Sequence, residues 1–315
     1  MFAFRLSARL AILSLVGALA ACGDPAAPPD PTIAAGALAA AEREQAAERA
    51  AAERIAHEHA HDAPTATPAI ASPPRMPVVA RTVEYGQEGD TLLTGYLAVP
   101  EAESDTPPPG IIVIHEWWGL NDNIRKMTER LAGEGYAALA VDLYMGGTSE
   151  DPQGAAELMQ ALMNSPERGR RNVREAYTYL VESFDVPAVA ALGWCLGGRW
   201  ALETARAMPE DIDAVVIYYG NVPSEAEALQ PLNMPILGLF AEDDRAVPLE
   251  GVHAFRDQLA ALGKNAHIEI YPGVDHAFAN PSGGNYEPVA AEDAWQRTLA
   301  FLAAHLADED TAGTQ

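Results

Sequence analysis

The sequence predicts an α/β fold with a mostly parallel sheet and helices on both of its faces. Two observations lead to this prediction. Short apolar runs rich in β-branched residues recur between residues 110 and 271, and amphipathic, helix-like segments separate them. Strands that are apolar along their whole length are typical of parallel sheets, because helices cover both faces of such a sheet. No internal repeat is visible, so residues 78–315 are expected to form one domain.

The predicted elements follow one another in a regular order. The domain is expected to begin near Val78, where "RTVEYG" and "TLLTGYLAVP" flank a turn and predict an opening hairpin. The later strand candidates are "GIIVIHEWWGL", "YAALAVDLY", "PAVAALGWC", "DAVVIYYG", "MPILGLFAEDD" and "AHIEIYPG". The helix candidates are residues 121–134, 153–163, 167–183, 195–207, 249–262 and 287–305.

The first 22 residues have the layout of a signal peptide. Two arginines precede an apolar stretch from Leu10 to Ala21, which is too short for a comfortable transmembrane span. The tetrad "LAAC", which ends at Cys22, resembles the bacterial lipobox, whose cysteine is lipidated and becomes the first residue after cleavage. A simple secretory signal with an incidental cysteine is the alternative. We expect an exported, membrane-tethered lipoprotein that faces the periplasm or the cell exterior.

Residues 23–77 are expected to form a disordered or helical tether rich in alanine and proline. His57, His59 and His61 lie in this segment, and the first and last of them are one helical turn apart. Such spacing is compatible with a metal site, but no fourth ligand is nearby. The sequence therefore favours a solvated polar face of a stalk, with no bound metal.

Charge and cysteine content restrict the partners. The formal net charge of −25 repels phosphate, so nucleic acid is not expected as a partner, and the membrane is expected to be reached only through the lipid anchor. The chain has two cysteines. If Cys22 is lipidated, Cys195 has no partner for a disulfide within the mature chain. An unpaired thiol in an oxidising compartment is expected either to be buried or to have a chemical function.

Three reactive residue types come directly after predicted strands. "PAVAALG" runs into Cys195, "MPILGLFAEDD" ends in Asp243 and Asp244, and "AHIEIYPGVDHAF" reaches His276. Because ligands of an open parallel sheet bind beyond the carboxyl ends of its strands, these side chains are expected to converge. The order nucleophile, acid, histidine is that of the α/β-hydrolase triad. Asp244 is preferred over Asp243, and the alternative for Cys195 is a mere packing role.

Each member of this set has a chemical task. The pattern G-x-C-x-G-G around Cys195 predicts a strained turn that projects the thiol, with His276 as its proton acceptor and Asp244 orienting the imidazole. Backbone N–H groups of Trp117 and Leu196 are placed to form an oxyanion hole. No cofactor and no metal is expected to be required.

The motifs "HEWWGL", "GYAALAVDLY", "GWCLGGRW", "EDDRAVPLE" and "DHAFANP" together resemble the dienelactone hydrolase family. The resemblance extends from about Val78 to Leu306. It implies an α/β-hydrolase fold and cleavage of a small-molecule ester or lactone. It also implies that Glu116 switches the thiol between a protected and an attacking state, whereas the structural alternative is that Glu116 only orders its loop.

The sequence departs from the pattern of that family where substrate carboxylates are held. Asn280 stands where an arginine is expected, and "DPQGAAELMQALMN" has no basic residue. The pocket is instead expected to be lined by Trp118, Tyr144, Phe278 and Asn280. Since thiolates attack activated carbonyls best, an activated ester or lactone is the predicted substrate. The alternatives are a broad carboxylesterase or thioesterase with the same triad, and a non-catalytic binding module of the cell envelope.

Overall fold

A computed structural model describes most of the predicted domain and a few residues before it. The described residues are 73–306 except 103 and 105, together with 46, 50, 53–55, 57 and 59. The chain divides into two compact units, Met1–Glu44 and Gln45–Gln315, and every described residue belongs to the second. The predicted signal peptide 1–22, Cys22 and most of the predicted tether 23–77 lie outside the described residues.

Eight strands form one sheet in the order β1-β2-β4-β3-β5-β6-β7-β8. The two N-terminal strands form the predicted antiparallel hairpin, and the sheet is parallel from β4 to β8. The strands are β1 Val78–Glu88, β2 Thr91–Pro100, β3 Gly110–Ile114, β4 Ala137–Val141, β5 Val189–Trp194, β6 Ala214–Tyr218, β7 Ile236–Ala241 and β8 Ala266–Tyr271. The predicted α/β fold with a mostly parallel sheet is confirmed.

Helices lie between the strands, close to the predicted positions. They are α1 Asp122–Ala132, α2 Pro152–Met163, α3 Pro166–Phe184, α4 Leu196–Ala207, α5 Ala226–Leu229, α6 Leu249–Ala261 and α7 Pro288–Leu306. The short α5 was not predicted, because four residues are too few for a helical period to show. Among the described residues, no helix has both the length and the apolar character that a membrane crossing requires.

Local chemistry explains where the helices begin. The Asn121 side chain accepts a hydrogen bond from the Ile124 amide at 3.2 Å and so caps α1. Asp151 caps α2 by accepting from the Gly154 amide at 2.9 Å, and Pro152 occupies the first turn, where a missing N–H costs nothing.

The core lies on both faces of the central sheet. Every residue of β3, β4, β5, β6 and β7 is buried, whereas the first strand is mostly exposed or half-buried. The uniformly apolar sequences of the central strands follow from this double coverage. Since β3, β5, β6, β7 and β8 are neighbours in the sheet, the loops that follow them meet at one edge.

Candidate active site

Cys195 occupies a strained turn between β5 and α4. Its backbone angles are φ 55° and ψ −119°, a region that non-glycine residues rarely adopt. The flanking glycines make the turn possible. A Cβ on Gly193 would lie 2.2 Å from the Gly197 carbonyl oxygen, and a Cβ on Gly197 would lie 2.2 Å from that of Ile114. The thiol is thereby held at the start of α4, at the carboxyl edge of the sheet.

A hydrogen-bonded chain joins this thiol to an imidazole and a carboxylate. His276 Nε2 lies 3.3 Å from Cys195 Sγ, and its Nδ1 lies 2.7 Å from Asp244 Oδ2. The other carboxylate oxygen of Asp244 accepts from the Val247 amide at 2.7 Å, which fixes the orientation of the carboxylate. The neighbouring Asp243 is exposed. The structure therefore brings together Cys195, Asp244 and His276.

The surroundings of Cys195 and His276 favour the thiolate form of the cysteine and the imidazolium form of the histidine. Burial by itself raises the pKa of the Cys195 thiol, but the charge of His276 and hydrogen bonds from His276 and His59 outweigh burial and lower the pKa to about 6. Burial alone would lower the pKa of His276, but Asp244 and the thiolate raise it well above its usual range. At neutral pH the geometry thus supports a thiolate beside an imidazolium.

This charge state predicts a specific titration. The thiolate of Cys195 should persist as the pH falls to about 6, because the nearby imidazolium stabilises the anion. We expect the ultraviolet absorbance of the thiolate, taken as the difference between the wild type and Cys195→Ser, to have its midpoint near pH 6. The subtraction removes the contribution of Cys22. A midpoint at the ordinary thiol value, about 8.5, would contradict this description of the site.

His59 was expected on the solvated face of a stalk, and the structure corrects this. The side chain is 3% exposed, and its ring centroid lies 5.2 Å from that of His276 and 5.0 Å from the ring of Trp117. One ligand atom each from His59, Cys195 and His276 lies within 4.8 Å of the others. His57 is exposed, as expected for a polar face, and His61 lies outside the described residues.

The residues just before His59 explain how it reaches the site. Arg54 Nε donates a hydrogen bond to the Ala246 carbonyl oxygen at 3.2 Å, and Ile55 is a member of the hydrophobic core with 5% exposure. The His59 amide donates to the Ile55 carbonyl oxygen at 3.1 Å. Ile55 was the available signal in the sequence, since a bulky apolar residue among alanines and charges is suited to burial.

Glu116 follows β3 and is held by an amide. Asn280 Nδ2 donates to Glu116 Oε2 at 2.7 Å, and the side-chain oxygen of Asn280 accepts from the Ser282 amide at 2.9 Å. Asn280, which stands where the family resemblance led us to expect an arginine, thus contacts the carboxylate of Glu116. The neighbouring histidines His276 and His59 lower the pKa of the Cys195 thiol in this geometry.

The loop after β3 forms the aromatic wall of the site. Trp117 and Trp118 are buried, with ring centroids 4.7 Å apart, and Trp118 lies 6.3 Å from His59. Tyr144 is also buried and donates its hydroxyl to the Trp117 carbonyl oxygen at 3.0 Å. This hydrogen bond fixes the loop that contains the backbone N–H of Trp117. Leu196, the other predicted oxyanion donor, is the first residue of α4.

Phe278 and Tyr219 are two further aromatic residues near the site, and both are fully buried. Phe278 is fully buried, with its ring 5.3 Å from Tyr219 and 4.9 Å from Tyr271, and these are contacts of a core side chain. Tyr219 follows β6 with φ 36°, and its ring lies 5.2 Å from His276. Burial raises the pKa of its hydroxyl well above the usual range, so the group stays a proton donor. Tyr219 was not predicted as a site residue, since no charged or nucleophilic residue marks that strand end.

Comparison with known proteins gives a consistent result. The model of the dienelactone hydrolase family matches residues 93–306. A Saccharolobus solfataricus protein named "Putative carboxymethylenebutenolidase" is 32% identical over 259 residues, which cover 70% of this chain and 97% of that protein. An Escherichia coli K12 protein of the same name is 32% identical over 258 residues, with coverage of 76% and 93%.

A solved structure gives the same relationship in three dimensions. The crystal structure titled as a "Putative Dienelactone Hydrolase" from Klebsiella pneumoniae superposes with a TM-score of 0.66 at 29% identity. The superposition covers 73% of this chain and 100% of the Klebsiella pneumoniae chain. The family match, the curated relatives and the shared fold agree with the motifs noted in the sequence. The chain therefore belongs to the dienelactone hydrolase family of carboxylic-ester hydrolases.

Proposed function

We propose that the protein hydrolyses an activated ester or lactone through a thioester on Cys195. The observation that supports this is the continuous chain from Sγ through the imidazole to the Asp244 carboxylate, with distances of 3.3 and 2.7 Å. Such a chain supplies a nucleophile, a proton carrier and the group that orients the carrier. A packing role for Cys195 would require none of these contacts.

In the first half of the reaction the thiolate attacks the carbonyl carbon of the substrate. The negative charge that develops on the carbonyl oxygen would be stabilised by the backbone N–H groups of Trp117 and Leu196, each donor being worth about 2.7–4 kcal/mol. The bond from carbon to the alcohol oxygen then breaks, and that oxygen takes the Nε2 proton of His276. The thioester forms, and the imidazole is left neutral.

In the second half, water replaces the alcohol. Neutral His276 takes a proton from water while the water oxygen attacks the thioester carbon. Collapse of this intermediate expels the thiolate, releases the carboxylic acid and restores the ion pair with the imidazolium. The charge of Asp244, 2.7 Å from Nδ1, stabilises the imidazolium at the beginning and end of the cycle.

The chemistry of sulfur restricts the substrate. A thiolate leaves a tetrahedral intermediate readily, so an ester whose alcohol is a poor leaving group tends to be returned unchanged. Lactones and aryl or enol esters, whose leaving groups are stabilised, fit best. Because Asn280 is uncharged and bonded to Glu116, we do not propose it as a clamp for a substrate carboxylate.

Turnover also requires that the site open. Cys195 is 1% exposed and His276 is fully buried, and the ring of His59 lies 5.2 Å from that of His276. Because one ligand atom of His59 lies within 4.8 Å of Cys195 Sγ, we propose that His59 withdraws when a substrate enters. Arg54 and Ile55 anchor the same part of the chain, so their contacts with the domain would set how readily it opens.

We propose that, when no substrate is bound, Glu116 acts on the Cys195 thiol only by ordering the loop after β3. Its carboxylate accepts from Asn280, which supports the alternative in which Glu116 orders the loop after β3. A role as a thiol switch would require this hydrogen bond to break when the substrate binds.

We further propose export and lipid attachment at Cys22, on the strength of residues 1–22 alone.

The full chain should be tested against a panel of aryl esters, lactones and acyl thioesters. We expect the highest kcat/KM for activated esters or lactones, and we expect intact-mass spectrometry early in the reaction with p-nitrophenyl acetate to show one acetyl group on Cys195. A higher kcat/KM for thioesters would indicate the thioesterase alternative. No turnover of any substrate, together with no acylation, would indicate a binding module.

A further inference from the structure

The active site contains a second imidazole that the proposed hydrolysis does not use. His59 comes from the segment before the domain, whereas Cys195 and His276 come from the ends of β5 and β8. All three side chains are at most 3% exposed. Their ligand atoms lie within 4.8 Å of one another, and no other group of three potential metal ligands is found among the described residues.

We propose that His59, Cys195 and His276 bind a thiophilic divalent metal ion, of which Zn²⁺ is the example, and that the metal-bound enzyme is inactive. One thiolate and two imidazoles are ligands that zinc prefers, and three protein ligands leave a fourth position for water. The proposal rests on the contacts that place His59 against the thiol.

The geometry is close to what a tetrahedral ion needs. With bonds of 2.0–2.1 Å to nitrogen and 2.3 Å to sulfur, two ligand atoms of one zinc ion lie about 3.3–3.6 Å apart. The distance between His276 Nε2 and Cys195 Sγ is already 3.3 Å. All ligand atoms are within 4.8 Å of each other, so the largest change in separation needed is about 1.2–1.5 Å, which a turn of the His59 ring could supply.

The residues behind the ligands also suit a metal. Histidine ligands of zinc usually donate their other ring N–H to a carboxylate, and Asp244 Oδ2 lies 2.7 Å from His276 Nδ1. That hydrogen bond leaves Nε2 free to face the ion. Trp117 stacks near His59 at 5.0 Å and restricts the orientation of its ring.

Metal binding would stop the reaction for a simple reason. The electron pair of sulfur that attacks the substrate would be bound to the ion, and His276 Nε2 would no longer accept or donate a proton. Starting from the ion pair, binding releases one proton, that of His276 Nε2. The bound ion would also hold His59 over the thiol and keep the site closed.

Co²⁺ is the most informative probe, because a bond between cobalt and a thiolate gives a charge-transfer band in the near ultraviolet. Titration of the full chain should show one such site. We expect His59→Ala to weaken cobalt binding by at least about 100-fold. His57→Ala should leave the binding unchanged, because His57 is exposed on the same segment. Circular dichroism establishes that each variant is folded.

Two results would overturn the proposal. One is a charge-transfer band that persists in Cys195→Ser, since the metal would then be bound elsewhere. The other is equal affinity for cobalt in the His59→Ala variant and the wild type. The spectrum does not depend on turnover, so failure of the metal site is distinguishable from failure of the proposed hydrolysis. Inhibition of ester hydrolysis by Zn²⁺, weaker in His59→Ala and reversed by a chelator, would be the functional consequence.

Discussion

Replacing Cys195 with alanine should reduce the turnover of p-nitrophenyl acetate to the background rate. The sulfur is the only atom proposed to bond to the substrate, and loss of a catalytic nucleophile costs about 10⁶-fold in kcat in serine hydrolases that use a triad. Binding groups and oxyanion donors alone leave a small residual rate. The measurement is the steady-state release of p-nitrophenol by the full chain.

Cys22 provides the matched control, since it is the only other cysteine in the chain. Cys22→Ser removes a thiol that lies outside the described residues, and we expect the purified variant to keep wild-type turnover. Thermal unfolding should show that Cys195→Ala is folded. Turnover of folded Cys195→Ala within tenfold of the wild type would exclude Cys195 as the nucleophile.

Replacing Asp244 with asparagine should lower kcat by about 10²–10⁴-fold, the upper value being that of the corresponding change in a serine triad. The Val247 amide donates to Oδ1 of Asp244, so the amide oxygen of the new side chain is expected to take that position. Its NH₂ group would then donate to His276 Nδ1. This hydrogen bond forces the neutral tautomer that is protonated at Nε2, and such a ring cannot accept a proton from water.

The Asp244→Asn substitution should also raise the pH at which the Cys195 thiol loses its proton. Loss of the Asp244 charge makes the imidazolium less stable, and the thiolate loses its partner. The midpoint of the thiolate absorbance should therefore rise from about 6 toward the ordinary value. Asp243→Asn is the control, because its exposed neighbouring carboxylate has the same charge. A similar loss of kcat in both variants would show that general charge, and not the contact with His276, is responsible.

The fold could be predicted from the sequence because its signals are local. Strands buried on both faces are apolar throughout, and amphipathic helices separate them, so α1 and α2 were placed to within one or two residues. Cys195, Asp244 and His276 were expected together because each follows a strand. The structure brings them within hydrogen-bonding distance, and it places Asp244 rather than Asp243 beside the imidazole.

Other features depend on contacts between distant parts of the chain. Arg54 reaches the Ala246 carbonyl oxygen across 192 positions of sequence, and this contact belongs to the anchoring that places His59 over Cys195. Ile55 is a local sign that this segment packs against other residues, but the local pattern does not show that it packs beside Cys195. Phe278 likewise looked suitable for a pocket by its type and position, but neighbouring aromatic rings enclose it.

The parallel sheet, the order of the strand ends that bear reactive residues, and the family could all be predicted from the sequence, because periodicity and short motifs are local properties of the chain. The three-dimensional packing was needed to show which aspartate contacts His276, which residue holds Glu116 and which second imidazole lies beside the thiol. These outcomes depend on distances of a few ångströms between residues far apart in sequence. Such distances arise from the packing of the whole domain.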